Sequence, residues 1–214
     1  MSVTIVRGIP GSPFMRAVLM TLLEKNAPYR LEPIAPGQHK SPEYLAKHPF
    51  GRVPVIEQDG FVLYETQAIV RYLDRIYPAP AFTPADPRAA ARMDQAMNIS
   101  DWYLFRMIGV PIVFNRVVAP RIGVPPNDAA VTAALPEAQA AFGSIETFLA
   151  DRPYMAGDAV TLADLMMAPH MDMLGECAEG QTMLAGTRIA AWLERMRARP
   201  SMAATTWDRL LAAA

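Results

Sequence analysis

The sequence predicts two domains: α/β at the front and all-α behind. Three observations predict it. Strand and helix signals alternate over residues 1–78, helix signals alone fill 88–214, and a proline-rich linker over 79–87 separates them. The 214 residues are 52% hydrophobic and 19% charged, which supplies a packed core and argues against disorder. A formal net charge of -1 argues against a nucleic-acid binder. No apolar run approaches the roughly 18 residues that a membrane span needs, so no membrane partner is expected. The opening Met-Ser-Val-Thr-Ile-Val lacks the features of a signal peptide. One cysteine, Cys177, leaves no internal disulfide and no multi-cysteine metal site. A cytoplasmic protein without a metal is the expectation.

The first part is read in order. Val3–Val6 is a short β-branched run, and Gly8-Ile9-Pro10-Gly11-Ser12-Pro13 punctuates it. Met15, Val18, Leu19, Leu22 and Leu23 recur at helical spacing. Tyr29–Ile34 reads as a second strand, and Ser41-Pro42-Glu43 opens a short helical turn. Val53–Gln58 and Phe61–Tyr64 flank Asp59-Gly60, a strong hairpin signal. Ile69, Tyr72, Leu73 and Ile76 form the stripe of a closing helix. The order is βαβ, a short helix, then ββα. Residues 1–80 hold nine Lys/Arg against seven Asp/Glu, and all three lysines, Lys25, Lys40 and Lys47, lie there.

Pro78 leads into the linker and Pro80, Pro84 and Pro87 lie within it, a spacing that no helix interior or central strand sustains. Beyond it, Arg88 to about Asn115 predicts a long helical segment interrupted near Gly109 and Pro111. Ala129–Ala150 is helix-prone despite Pro136. Thr161-Leu162-Ala163-Asp164 has the capping-box pattern with Asp in place of Glu or Gln, which gives Thr161 and Asp164 structural roles. Arg188–Arg199 and Ala203–Ala213 complete the helices.

Three features coincide: a hydroxyl at Ser12 where the first helix starts, Val53-Pro54 at the start of the third strand, and Glu65-Thr66 opening the third helix. This layout resembles the thioredoxin fold. With a helical domain behind it, the chain resembles the soluble glutathione transferases over nearly its whole length. The most specific stretch is Gly37-Gln38-His39-Lys40-Ser41-Pro42-Glu43-Tyr44-Leu45, followed by His48-Pro49-Phe50-Gly51-Arg52-Val53-Pro54. It is most similar to the serine-type classes, phi in particular, and to related bacterial members. The resemblance implies glutathione as co-substrate, an electrophilic small molecule as the second substrate, and a homodimer.

Glutathione has two carboxylates, an amine and a thiol. Thr66 and the N–H groups at a helix start suit the γ-glutamyl carboxylate, and Glu65 suits the ammonium. Read alone, Thr66 is only a helix cap. His39 and Lys40 suit the glycyl carboxylate; read alone they are solvated surface. The resemblance implies a cis Val53-Pro54 peptide that leaves the main chain of Val53 free to pair with the cysteinyl part. Arg52 replaces the family's usual Gln and either shifts the docking or joins Lys40. Ser12 is the candidate catalytic residue, donating to the thiolate at a helix N-terminus; read alone it is an N-cap before Pro13. Phe14, Trp102, Tyr103, Arg106 and Met107 are candidates to line a second-substrate pocket between the domains, and ordinary core is the alternative for each. Alternatives to conjugation are a glutathione-dependent isomerase or dehalogenase, and a non-catalytic binding module.

Overall fold

Strand β1 (Thr4–Gly8) sits inside the sheet and buries every second residue, Thr4, Val6 and Gly8, as the two-residue period of a strand demands. The computed structural model describes residues 2–212. Helix α1 (Pro13–Glu24) follows, capped by Ser12 with Pro13 in its first turn. Then come β2 (Tyr29–Pro33), a 3₁₀ turn at Gln38–Lys40 and α2 (Pro42–Leu45). The hairpin β3 (Val55–Gln58) and β4 (Phe61–Tyr64) turns at Asp59-Gly60, both at positive φ, before α3 (Thr66–Ile76). The sheet order is β2-β1-β3-β4. β1 runs parallel to β2 and antiparallel to β3, and β3 pairs antiparallel with β4. α1 and α3 pack together. Ile34, Tyr44 and Val55 form a small core of their own, joined by Ile9, Val53, Val62 and Tyr64. This is the expected thioredoxin-like α/β arrangement.

The registers place the loops. Gly8 at the end of β1 faces Pro33 at the end of β2, Arg7 faces Val55 at the start of β3, and Val55 faces Tyr64 at the end of β4. The segments after Gly8, after Pro33, before Val55 and after Tyr64 therefore emerge from one edge of the sheet.

The chain divides into two units, Met1–Thr83 with Arg199–Ala214, and Pro84–Ala198. The second holds α4 (Pro87–Ile99), a π-wound segment (Ser100–Val118), α5 (Ala119–Arg121), α6 (Asp128–Leu149), α7 (Leu162–Leu174), α8 (Ala178–Leu184) and α9 (Arg188–Arg197). Asp164 is fully buried at the start of α7. Its carboxylate accepts from the N–H of Met155 at 2.9 Å, the N–H and hydroxyl of Thr161 at 2.8 Å each, and Nε1 of Trp192 at 2.9 Å.

Three expectations are corrected here. The first long helix is not interrupted at Gly109 and Pro111: Pro87–Arg121 is one helix, and its wide turns pass through Pro111, whose carbonyl takes a hydrogen bond from the Asn115 amide at 2.9 Å. That helix spans 35 residues at a mean hydropathy of 1.2 in its most apolar window, so one stretch does meet the length and composition of a membrane span. Leu104, Ile108 and Ile112 within it are buried, and the segment packs on α6 and α7. Finally, the helical domain does not run unbroken over 88–214. Arg199 and Ser201 bond to Glu24 of α1, which fixes α10 (Pro200–Ala204) and α11 (Trp207–Ala212) to the first unit.

Candidate functional site

Ser12 ends the turn that follows β1. Its N–H donates to the Ile9 carbonyl at 3.0 Å, and its half-buried side-chain oxygen accepts from the Met15 N–H at 3.4 Å. The cap bond leaves one lone pair and the hydroxyl hydrogen for another partner. Phe14 follows on the first turn of α1, half-buried.

The loop after β2 brings His39 and Lys40 to the same edge. The Lys40 ammonium donates to the Gly51 carbonyl at 2.9 Å, which ties this loop to the turn before β3. Gly51 has φ +54, and a methyl there would lie 2.9 Å from both Lys40 Nζ and the His39 carbonyl, so a side chain at that position would displace the lysine. An ammonium has three protons, so this bond leaves two for an anion. Arg52 is exposed beside it. Burial, followed by the charges of Lys40 and Arg52, holds His39 below its ordinary pKa.

The Val53–Pro54 peptide is cis. Among the described residues none hydrogen-bonds the main chain of Val53, although Val55 two residues on is paired with β1 and β4. A second peptide has a free strand edge to meet there.

Glu65 follows β4 with φ +70 and ψ 117, a conformation an L-residue seldom adopts. Such strain costs about 1–3 kcal/mol and is retained where the surroundings fix it. Its exposed carboxylate is the N-cap residue of α3 but makes no capping bond. Thr66 is therefore the first helical residue and not the cap that an isolated reading gives it. It is 7% exposed, and its hydroxyl has no hydrogen-bond partner among the described residues. The hydroxyl and the N–H groups of the helix start are donors of the kind that an anion takes.

His48 was not singled out in the sequence. It is 1% exposed, its ring stacks on Tyr64 at 4.5 Å, and Phe50 meets it edge-on at 6.2 Å. Burial is the largest influence on it and lowers its pKa; Glu65 opposes this, while Arg52 and Lys40 reinforce it. A histidine flanked by Lys47 and Pro49 carries no local signal for that position.

Trp102, Tyr103, Arg106 and Met107 lie on the π-wound segment of the second unit. Trp102 and Tyr103 are 59% and 52% exposed, so neither is ordinary core. The Arg106 guanidinium stands 5.6 Å from the Trp102 ring centre. Met107 is half-buried. Among the described residues no group of three or more His, Cys, Asp or Glu is placed to hold a metal ion.

Comparison with known proteins agrees with this arrangement. The sequence profile of the glutathione S-transferase N-terminal domain matches residues 7–81, and that of the C-terminal domain matches residues 96–200. Glutathione S-transferase 3 of Zea mays is 31% identical over 92% of this chain and 90% of its own length. The crystal structure of glutathione transferase F2 from Populus trichocarpa superposes with a TM-score of 0.86 at 27% identity, covering 97% of this chain and 99% of that one. Human glutathione transferase theta-2, solved with glutathione, superposes at 0.83 with 27% identity, over 98% of this chain and 88% of that one. Two matched domains in the family's order, on the family's fold, make this chain a member of the glutathione S-transferase family of enzymes.

Proposed function

We propose that this enzyme joins the thiolate of glutathione to an electrophilic, mostly apolar small molecule, with the Ser12 hydroxyl donating to the sulfur. The observation that carries the reading is the convergence of four segments on one sheet edge: the Ser12 turn, the His39-Lys40 loop, the Val53-Pro54 turn and Glu65-Thr66. Thr66 and the α3 start hold the γ-glutamyl carboxylate, and Glu65 holds the ammonium. Val53 pairs with the cysteinyl main chain. Lys40 and Arg52, with neutral His39, hold the glycyl carboxylate.

The chemistry is a displacement or addition. The thiol proton leaves, the sulfur lone pair forms a bond to carbon, and a leaving group departs with its electron pair where there is one. A free thiol of pKa about 8.5 is roughly 3% ionised at pH 7. Lowering it by about two units raises the thiolate roughly 25-fold, but intrinsic nucleophilicity falls roughly 8-fold. The net gain of a few-fold leaves orientation and charge stabilisation to supply the rest. Phe14, beside Ser12 on the first turn of α1, offers an aromatic contact for the electrophile. A serine-type, cytoplasmic homodimer completes the reading.

The test is conjugation of a chloro-nitroarene. Ser12→Ala is expected to lower kcat by about tenfold to a hundredfold while retaining the fold, with about 1 kcal/mol lost from the helix cap. A Ser12→Ala enzyme with the wild-type rate and pH profile removes the assignment.

A further inference from the structure

We infer that Trp207, near the end of the chain, is a positioning residue for Ser12; this rests on the reading of Ser12 given above. Ile9-Pro10-Gly11-Ser12 is a four-residue turn closed by the Ser12 N–H on the Ile9 carbonyl at 3.0 Å, with Gly11 at φ +89. Proline second and a positive-φ glycine third make it type II. Glycine permits that shape but does not fix it, because it has more conformational freedom than any other residue. Something outside the turn has to hold it. The benzo ring of Trp207 lies directly against Gly11: a methyl there would stand 2.0 Å from Cε3, 2.3 Å from Cδ2 and 2.4 Å from Cζ3. The indole occupies the space that a side chain at Gly11 would need, and it abuts the peptide that leads into Ser12.

The segment carrying Trp207 is itself anchored. At the far end of α1, Glu24 accepts from Arg199 Nε at 2.8 Å and Arg199 Nη2 at 2.6 Å, and from the Ser201 hydroxyl at 2.5 Å. Burial pushes the Glu24 carboxyl up, but these bonds outweigh it and hold the pKa below its ordinary value. Residues 199–207 thus run from the last turn of α1 back to the turn ahead of its first. The brace is fixed at Glu24 and bears on Gly11, one residue from the hydroxyl.

The experiment is a double-mutant cycle on the full chain, read by the pH dependence of kcat/KM for chloro-nitroarene conjugation and by KM for glutathione. Trp207→Ala is expected to lower kcat about tenfold, to move the acid limb of the profile to higher pH, and to leave KM for glutathione within about twofold. Trp207→Phe, which keeps a flat ring, restores most of the rate. Trp207→Leu fills volume without a ring and falls between them, which keeps the test alive where the alanine variant does not fold. Ser12→Ala with Trp207→Ala is expected to be no slower than Ser12→Ala alone, because both changes act through one hydroxyl. Glu24→Gln, which loosens the anchor, is expected to move the acid limb in the same direction as Trp207→Ala by a smaller amount, and to lower the melting temperature. Trp207 variants that lose stability with an unmoved pH profile, or losses that multiply in the double variant, overturn the inference while Ser12→Ala still shows its own loss. A Ser12→Ala enzyme at wild-type rate and profile overturns the Ser12 reading, and the positioning role with it.

Discussion

The first helix uses only one of the three hydrogen-bonding sites of Ser12, the lone pair facing Met15. A side chain can therefore be a cap and still face a substrate, which is why reading it as one or the other from sequence was undecidable. His48 is the other residue whose surroundings outweigh its type. It is buried beside Lys40, Arg52 and Glu65, with its pKa below the ordinary value of 6.5. The folded form therefore keeps it neutral where the unfolded chain binds a proton. Stability from this group is full above about pH 6.5 and is lost as pH falls toward the folded value, at no more than about 1.4 kcal/mol per pH unit. His48→Phe is expected to flatten the fall in stability below pH 6.5, measured by urea unfolding at a series of pH values. An unchanged slope would place that proton elsewhere.

At the scale of elements, the strongest local signals were the ones that the structure reproduces. Asp59-Gly60 fixed the hairpin, and Ser12-Pro13 and Ser41-Pro42 fixed two helix starts, because each acts within four residues. The capping box at Thr161 was equally legible, but its weight was not. Loss of a cap alone costs about 1 kcal/mol. Asp164 also takes the Met155 N–H and the Trp192 indole, both distant in sequence, and its removal strands three buried donor residues. Asp164→Ala is expected to cost about 4 kcal/mol, seen as a lower midpoint in thermal and chemical unfolding. The π winding of Ser100–Val118 was not legible. Gly109 and Pro111 are breakers in the usual helix, and only packing on α6 and α7 decides that the helix continues past them.

At the scale of the whole chain, residues 199–212 belong with the first unit and not with the helices that precede them. Proline spacing marks a linker by itself. The return of residues 199–212 to the first unit rests on Arg199, Ser201 and Trp207 meeting Glu24 and Gly11, about 175–196 positions away, which no local pattern encodes. A second long-range knot closes the first unit. The Lys25 ammonium is fully buried, 2.5 Å from Asp74, and it also meets the Pro80 carbonyl and the Phe82 ring. Asp74 in turn accepts from the Phe82 N–H at 2.9 Å and the Thr83 hydroxyl at 2.6 Å, so the linker is tied down at its start. Asp74→Ala leaves a cation buried without its counter-charge and is expected to cost about 3–5 kcal/mol. Lys25→Met with Asp74→Leu is expected to recover much of that, as unfolding midpoints would show. The distribution of lysine has a practical side. With Lys25 sealed and Lys47 half-buried beside Glu57 at 3.5 Å, the most exposed side-chain amine is Lys40, on the rim proposed above to hold the glycyl carboxylate. On the proposed reading, tethering the enzyme through its amines falls first on Lys40 and is expected to block the tripeptide's way in.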